Sequence, residues 1–146
     1  MKVKLLILLL VPFLSISQIL ESVPDSNKIY DVVGVAPSYP GGEEAMAAFI
    51  NENFKYPQKS REMGEQGTCY VRFVVTKLGD IDSVEVLKGV SELIDAECIS
   101  VIESMPRWNP GEHDGNPVDV WYTIPIRCRL YDDVEEKKKK KWFKRR

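Results

Sequence analysis

Two periodicities divide the chain. Cys69, Val71, Phe73 and Val75 alternate with Tyr70, Arg72 and Val74, the period of a strand with one buried face. Lys77-Leu78-Gly79-Asp80 reads as a turn and Ile81–Leu87 as the returning strand. The apolar residues of that return change phase between Ile81 and Val84, which predicts a bulge or twist. A longer alternation covers Val118–Leu130. Val118, Val120, Tyr122, Ile124 and Ile126 lie on one face, with Asp119, Trp121, Thr123 and Arg127 on the other.

Helical spacing fills the gaps. Met46, Phe49, Ile50 and Phe54 form one apolar stripe, behind Glu43 and Glu44 in a first turn where carboxylates favour the positive end of the dipole. Tyr56-Pro57 ends that helix, and Pro57 suits the first position of a short second one ending near Met63-Gly64. A third opens with Ser91 as N-cap, and Ile94, Cys98, Val101, Ile102 and Met105 line one face of it. Ahead of these, residues 29–35 (IYDVVGV) predict a short strand. Residues 106–117 (PRWNPGEHDGNP) read as a turn-rich connection. The order strand, helix, helix, strand, hairpin, helix, strand predicts an α+β domain with helices packed on one face of an antiparallel sheet.

The first twenty residues read as an address. Lys2 and Lys4 precede LLILLLVPFL, an apolar run shorter than the ~20 residues of a spanning helix. Ser15-Ile16-Ser17 supplies small residues where a signal peptidase reads. Residues 1–17 are therefore expected to be a signal peptide cleaved before Gln18, and the protein periplasmic. An uncleaved inner-membrane anchor facing the periplasm is the alternative. Residues 18–36 form a lead with the short strand, 37–131 the domain, and 132–146 a tail.

With 146 residues, 44% apolar and 29% charged, one core is affordable and a disordered or polytopic chain is excluded. The net charge of −2 hides a division. Residues 137–146 (KKKKKWFKRR) hold eight of the 20 basic groups, whereas residues 18–136 carry 10 basic and all 22 acidic ones. An acidic body repels phosphate, so nucleic acid is not an expected partner. The tail has two readings: a solvated segment held loosely against its own acidic body, or a contact for anionic lipid or lipopolysaccharide. In the second, Lys137, Lys138, Lys139 and Arg145 supply charge and Trp142 and Phe143 insert.

Catalysis finds no footing. There is no H-E-x-x-H, no nucleophile elbow and no phosphate loop, and the one histidine, His113, is expected in an exposed loop. Cys69, Cys98 and Cys128 lie on apolar faces and read as packed thiols, without a C-x-x-C pair. The expectation is a non-enzyme without metal or cofactor.

Pro125 inside the last strand carries a sharper signal. Proline is tolerated only where the ladder needs no N–H, so this strand reads as an edge with that position facing outward. Backbone groups alternate sides along an antiparallel strand, so Asp119, Trp121, Thr123 and Arg127 would share the outer side. The border can accept a guest strand over Asp119, Val120, Trp121, Tyr122 and Thr123, or it can be a protected edge that binds nothing.

These residues carry a resemblance. Tyr56-Pro57, Gly64, Gly67, the hairpin with Gly79, Met105, Trp108, Pro110-Gly111 and Val118–Leu130 together resemble the C-terminal domain of TonB energy transducers. The stretch YPGGEEAMAAFINENFKYP (residues 39–57) matches the segment before that domain in one branch of the family. The resemblance implies a TonB/TolA C-terminal-like fold: helices against a three-stranded antiparallel sheet, ordered second–first–third, here with an extra N-terminal strand and helix. It implies capture of an extended segment, the N-terminal segment of an outer-membrane receptor, by the third strand together with Tyr56 and Pro57. If that sheet order holds, Cys69 and Cys128 become candidate cross-strand neighbours and a possible disulfide. A full transducer also has a membrane anchor and a long Pro-rich linker, for which this chain offers only residues 1–17 and a short lead. The expected function is a periplasmic binding module associated with TonB-dependent transport. The alternative is an envelope adaptor using the same fold for another protein partner.

Overall fold

The computed structural model describes residues 27–130 and Trp142. The signal-peptide assignment, most of the lead's first half, and Lys137, Lys138, Lys139, Phe143 and Arg145 of the tail lie outside the described residues. Trp142 is exposed. Eight elements follow in order: β1 (Ile29–Tyr30), α1 (Gly42–Asn53), α2 (Gln58–Glu62), β2 (Gly67–Val75), β3 (Ile81–Lys88), α3 (Glu92–Glu103), β4 (Gly111–His113) and β5 (Asn116–Cys128).

The sheet runs β1-β5-β2-β3, with β4 paired to β5. Its antiparallel heart is the expected three strands in the expected order. β2 pairs with β5 from Gly67↔Cys128 to Val75↔Val120 without a slip. β2 pairs with β3 through register shifts, and Arg72↔Glu85 and Val74↔Asp82 leave an extra residue on β3. Ser83 sits there at φ 50°, so the change of phase between Ile81 and Val84 is a bulge. That bulge lets Ile81, Val84 and Val86 all pack on the core despite their spacing.

The core lies between the sheet's inner face and the helices. Val71, Phe73, Val75, Ile124 and Ile126 meet Ile94, Cys98 and Ile102 of α3, and Met46, Phe49 and Ile50 of α1 pack beside them. Trp108 crosses Phe73 edge-on at 5.5 Å and Tyr39 at 5.6 Å, which locks the loop before β4 onto the core. Gly79 makes that approach possible: its carbonyl accepts the Trp108 N–H at 2.8 Å, at a φ of 85° that suits glycine.

Local details correct four expectations. The strand expected over 29–35 is only two residues long, with a separate bridge at Val35↔Glu112. Pro57 caps α2 rather than opening it. Ser91 occupies the N-cap position of α3, but its side chain caps nothing; the Asp95 carboxylate instead accepts the Val90 N–H at 2.8 Å. The turn-rich stretch hides β4, and His113 stands on that strand, half exposed, 4.7 Å from the Tyr30 ring.

Candidate binding border and its cleft

β5 is a strand whose alternation turns one face to the core: Val118, Val120, Ile124, Ile126 and Cys128 are buried and Tyr122 is half-buried. Its intervening residues form the outer face. There the Arg72 guanidinium lies 4.1 Å from the Trp121 ring centroid and pairs with Asp31 at 2.8 Å. Asp119 turns its carboxylate to the hairpin, accepting the Lys77 N–H at 2.7 Å.

The border opposite β2 is not open throughout. β1 lies parallel beside its beginning, Ile29 at Asp119 and Tyr30 at Val120. The expectation of a guest strand starting at Asp119 is thereby corrected, because the protein's own lead already occupies those two positions. From Trp121 to Cys128, β5 pairs with β2 alone among the described residues. Thr123, Pro125 and Arg127 are exposed along it. Pro125 stands opposite Tyr70. Its lack of an N–H puts its backbone on the outer side, and alternation puts the N–H and C=O of Thr123 on that side too.

The structure does not bring Tyr56 and Pro57 to residues 119–123. The Tyr56 hydroxyl donates to the Glu65 carbonyl, and its ring meets Phe54 edge-on at 5.8 Å. Burial first, and then the nearby Cys128, push this phenol's pKa up. The neighbouring Gln66 side chain accepts the Leu130 N–H at 3.0 Å. Tyr56 therefore stands at the Cys128 end of β5. That end is about 23 Å from Trp121 at the rise of a strand.

The cysteines are free and buried. Cys69 stands opposite Ile126 and Cys128 opposite Gly67, so the pairing considered between Cys69 and Cys128 is corrected by a two-residue offset. Cys128 instead meets Cys98 of α3, with sulfurs 3.9 Å apart. Their hydrogen bond, then burial, push the Cys98 thiol up. Burial pushes Cys69 up to about 11.

One feature escaped sequence reasoning: a cleft of about 240 Å³ beneath the start of the border, lined by Ala36–Tyr39, Gly42, Glu43, Met46, Trp108 and Tyr122. The residues come from three distant stretches, so no spacing announces it. The ring of Tyr122 lies 5.1 Å from that of Trp108, edge-on. Burial first, then the Glu43 carboxylate, raise the Tyr122 phenol's pKa. β4 did have a signal, Asp114-Gly115 between extended segments, and both residues have positive φ as a tight hairpin turn requires. Among the described residues, no cluster of three His, Cys, Asp or Glu is placed to hold a metal ion, and no helix is long and apolar enough to cross a membrane.

Comparison with known proteins gives a family match. The model of the Gram-negative bacterial TonB protein C-terminal matches residues 52–130. Among solved structures, a TonB C-terminal domain from Helicobacter pylori aligns at TM-score 0.48 and 21% identity, covering 64% of this chain and 89% of that one. A shorter form of that domain gives 0.48 and 22%, covering 63% and 99%. The Pseudomonas aeruginosa domain gives 0.40 and 25%, covering 53% and 81%. No curated protein matches.

Proposed function

This chain belongs to the TonB C-terminal family, and on that premise we propose that it captures an extended segment of an outer-membrane receptor by strand addition along β5. Family members are binding modules of the cell envelope that are associated with TonB-dependent transport and interact with proteins such as outer-membrane receptors. The observation that supports the finer reading is the border from Trp121 to Cys128, paired on one side only among the described residues. A guest strand there gains main-chain hydrogen bonds, and its alternate side chains meet the protein's surface. Thr123 is the central position, and Pro125 ends regular pairing because it offers no N–H. The proposal also places the domain in the periplasm, exported on residues 1–17 with cleavage before Gln18. The charged start and short apolar run of that segment support this placement.

The test uses synthetic peptides spanning the N-terminal segments of outer-membrane receptors from the same organism. Fluorescence anisotropy reads binding, and amide exchange reads its place. The expected result is saturable binding of at least one peptide, with slowed exchange at the Thr123 amide. Thr123→Pro removes a donor that the free protein does not use, so it is expected to abolish binding while folding persists. Binding that leaves that amide unprotected, or that survives Thr123→Pro, overturns the proposal.

A further inference from the structure

We infer that the cleft under Tyr122 receives one cationic side chain, lysine or arginine, of the extended segment that β5 captures. This rests on the strand-addition reading for the segment, and on the cleft's own chemistry for the side chain.

Tyr122 joins the two features. Its backbone stands in β5 at the start of the unpaired border, and its ring lines the cleft. A strand laid on that border turns alternate side chains to the sheet's inner face, the face of Tyr122. Tyr122 places this cleft beside that face. Its volume of about 240 Å³ holds one long side chain and no second.

The lining selects the chemistry. Tyr39, Trp108 and Tyr122 present aromatic rings and Met46 a thioether, surroundings that suit an alkyl stem and attract a cation to ring faces. Among the described residues, Glu43 supplies the only formal charge in the lining, and no lysine or arginine stands there to neutralise it. The start of α1 works in the opposite direction, with roughly half a positive charge at its N-terminus. Glu43 and Glu44 in its first turn outweigh that several-fold, so the mouth is negative. An acidic guest side chain is repelled and a basic one drawn in.

The indole N–H of Trp108 is buried, with no acceptor among the described residues. Trp108 is 3% exposed and lines the cleft, so its resonance reports on that packing. A cationic head answers Glu43 and the ring faces, whereas an apolar side chain answers neither.

The experiment uses fluorescein-labelled ten-residue peptides of alternating valine and threonine, carrying lysine, methionine or glutamate at one central valine position. They are titrated into the full chain and into its Glu43→Gln variant, whose altered residue is exposed. The expected order is lysine about tenfold tighter than methionine, with glutamate weakest. Glu43→Gln is expected to shrink the lysine preference to about twofold and leave the methionine peptide unchanged. Equal affinities overturn the inference and leave strand addition standing.

In parallel, n-butylammonium and n-butanol are titrated at matched ionic strength while the Trp108 indole N–H resonance is followed. A saturable shift with the cation alone supports the cleft by itself. If no peptide binds and the cation still shifts that resonance, the strand-addition reading fails and the cleft's preference survives. If neither titrant moves the resonance, the inference falls.

Discussion

The guanidinium of Arg72 is sandwiched between the Trp121 ring and the Asp31 carboxylate, 4.1 Å from the ring centroid and 2.8 Å from the oxygen. Arg72 belongs to β2, Trp121 to β5 and Asp31 to the residue just past β1, so one side chain ties the lead to the outer face of the sheet. The second ion pair, to Glu85 at 3.9 Å, is longer and exposed. An exposed cation–π contact and a surface ion pair are each worth about 0.5–1 kcal/mol. Arg72→Ala is therefore expected to lower stability by about 1–2 kcal/mol in urea unfolding, and to speed amide exchange at residues 29–31. An unchanged midpoint with unchanged exchange would show that β1 is held by its backbone alone.

Gly79 leaves no room for a side chain. A Cβ there would stand 2.0 Å from the Trp108 carbonyl oxygen, at a φ of 85°. Gly79→Ala must therefore move the turn or the Trp108 loop, at a cost of about 3 kcal/mol or more. Thermal unfolding checks this, and a loss below 1 kcal/mol would mean that the loop yields freely.

Burial of Cys69 sets an alkaline limit. Cys69 is neutral in the folded state up to about 11, against an ordinary value of 9.0. Above pH 9 the unfolded chain has released a proton that the folded one retains, so stability falls as pH rises. The slope is about 1.4 kcal/mol per pH unit for each such thiol, until the folded pKa is reached. Denaturation midpoints from pH 8 to 10.5 are expected to decline, and Cys69→Ala to flatten the decline. At pH 8 the native protein is expected to resist iodoacetamide and to take up three equivalents in urea. Rapid native labelling would contradict the burial of all three.

Pro125 protects the border as well as limiting it. Replacing it with threonine supplies an outward N–H and lengthens the strand edge that can pair with a second copy. Pro125→Thr is expected to raise self-association at millimolar concentration, read by sedimentation velocity, with wild-type unfolding behaviour. A monomer indistinguishable from wild type would show that the edge is guarded elsewhere.

Much of this was legible along the chain because amphipathic periodicity is local. The alternations at 69–75 and 118–128 and the stripes of α1 and α3 each record one buried face, and the bulge at Ser83 showed as a break in phase. The missed elements are those whose order comes from contacts between distant segments. β4 is three residues long and exists because Val35 and β5 flank it. The Asp95 carboxylate reaches back to the Val90 N–H because Gly89, without a side chain, passes close to it, an approach that local spacing does not show.

By itself, then, the sequence determined the α+β class, the three central strands and the proline that makes β5 a border, because each is written in side-chain period or in a missing N–H. Only the folded chain decided how much of that border remains available. β1 reaches Asp119 and Val120 across some ninety residues of sequence, and register sets Cys128 against Gly67 rather than Cys69. The cleft of Tyr39, Glu43, Trp108 and Tyr122 likewise exists only once three remote stretches pack together. Periodicity states which face is buried; it does not state what that face is buried against.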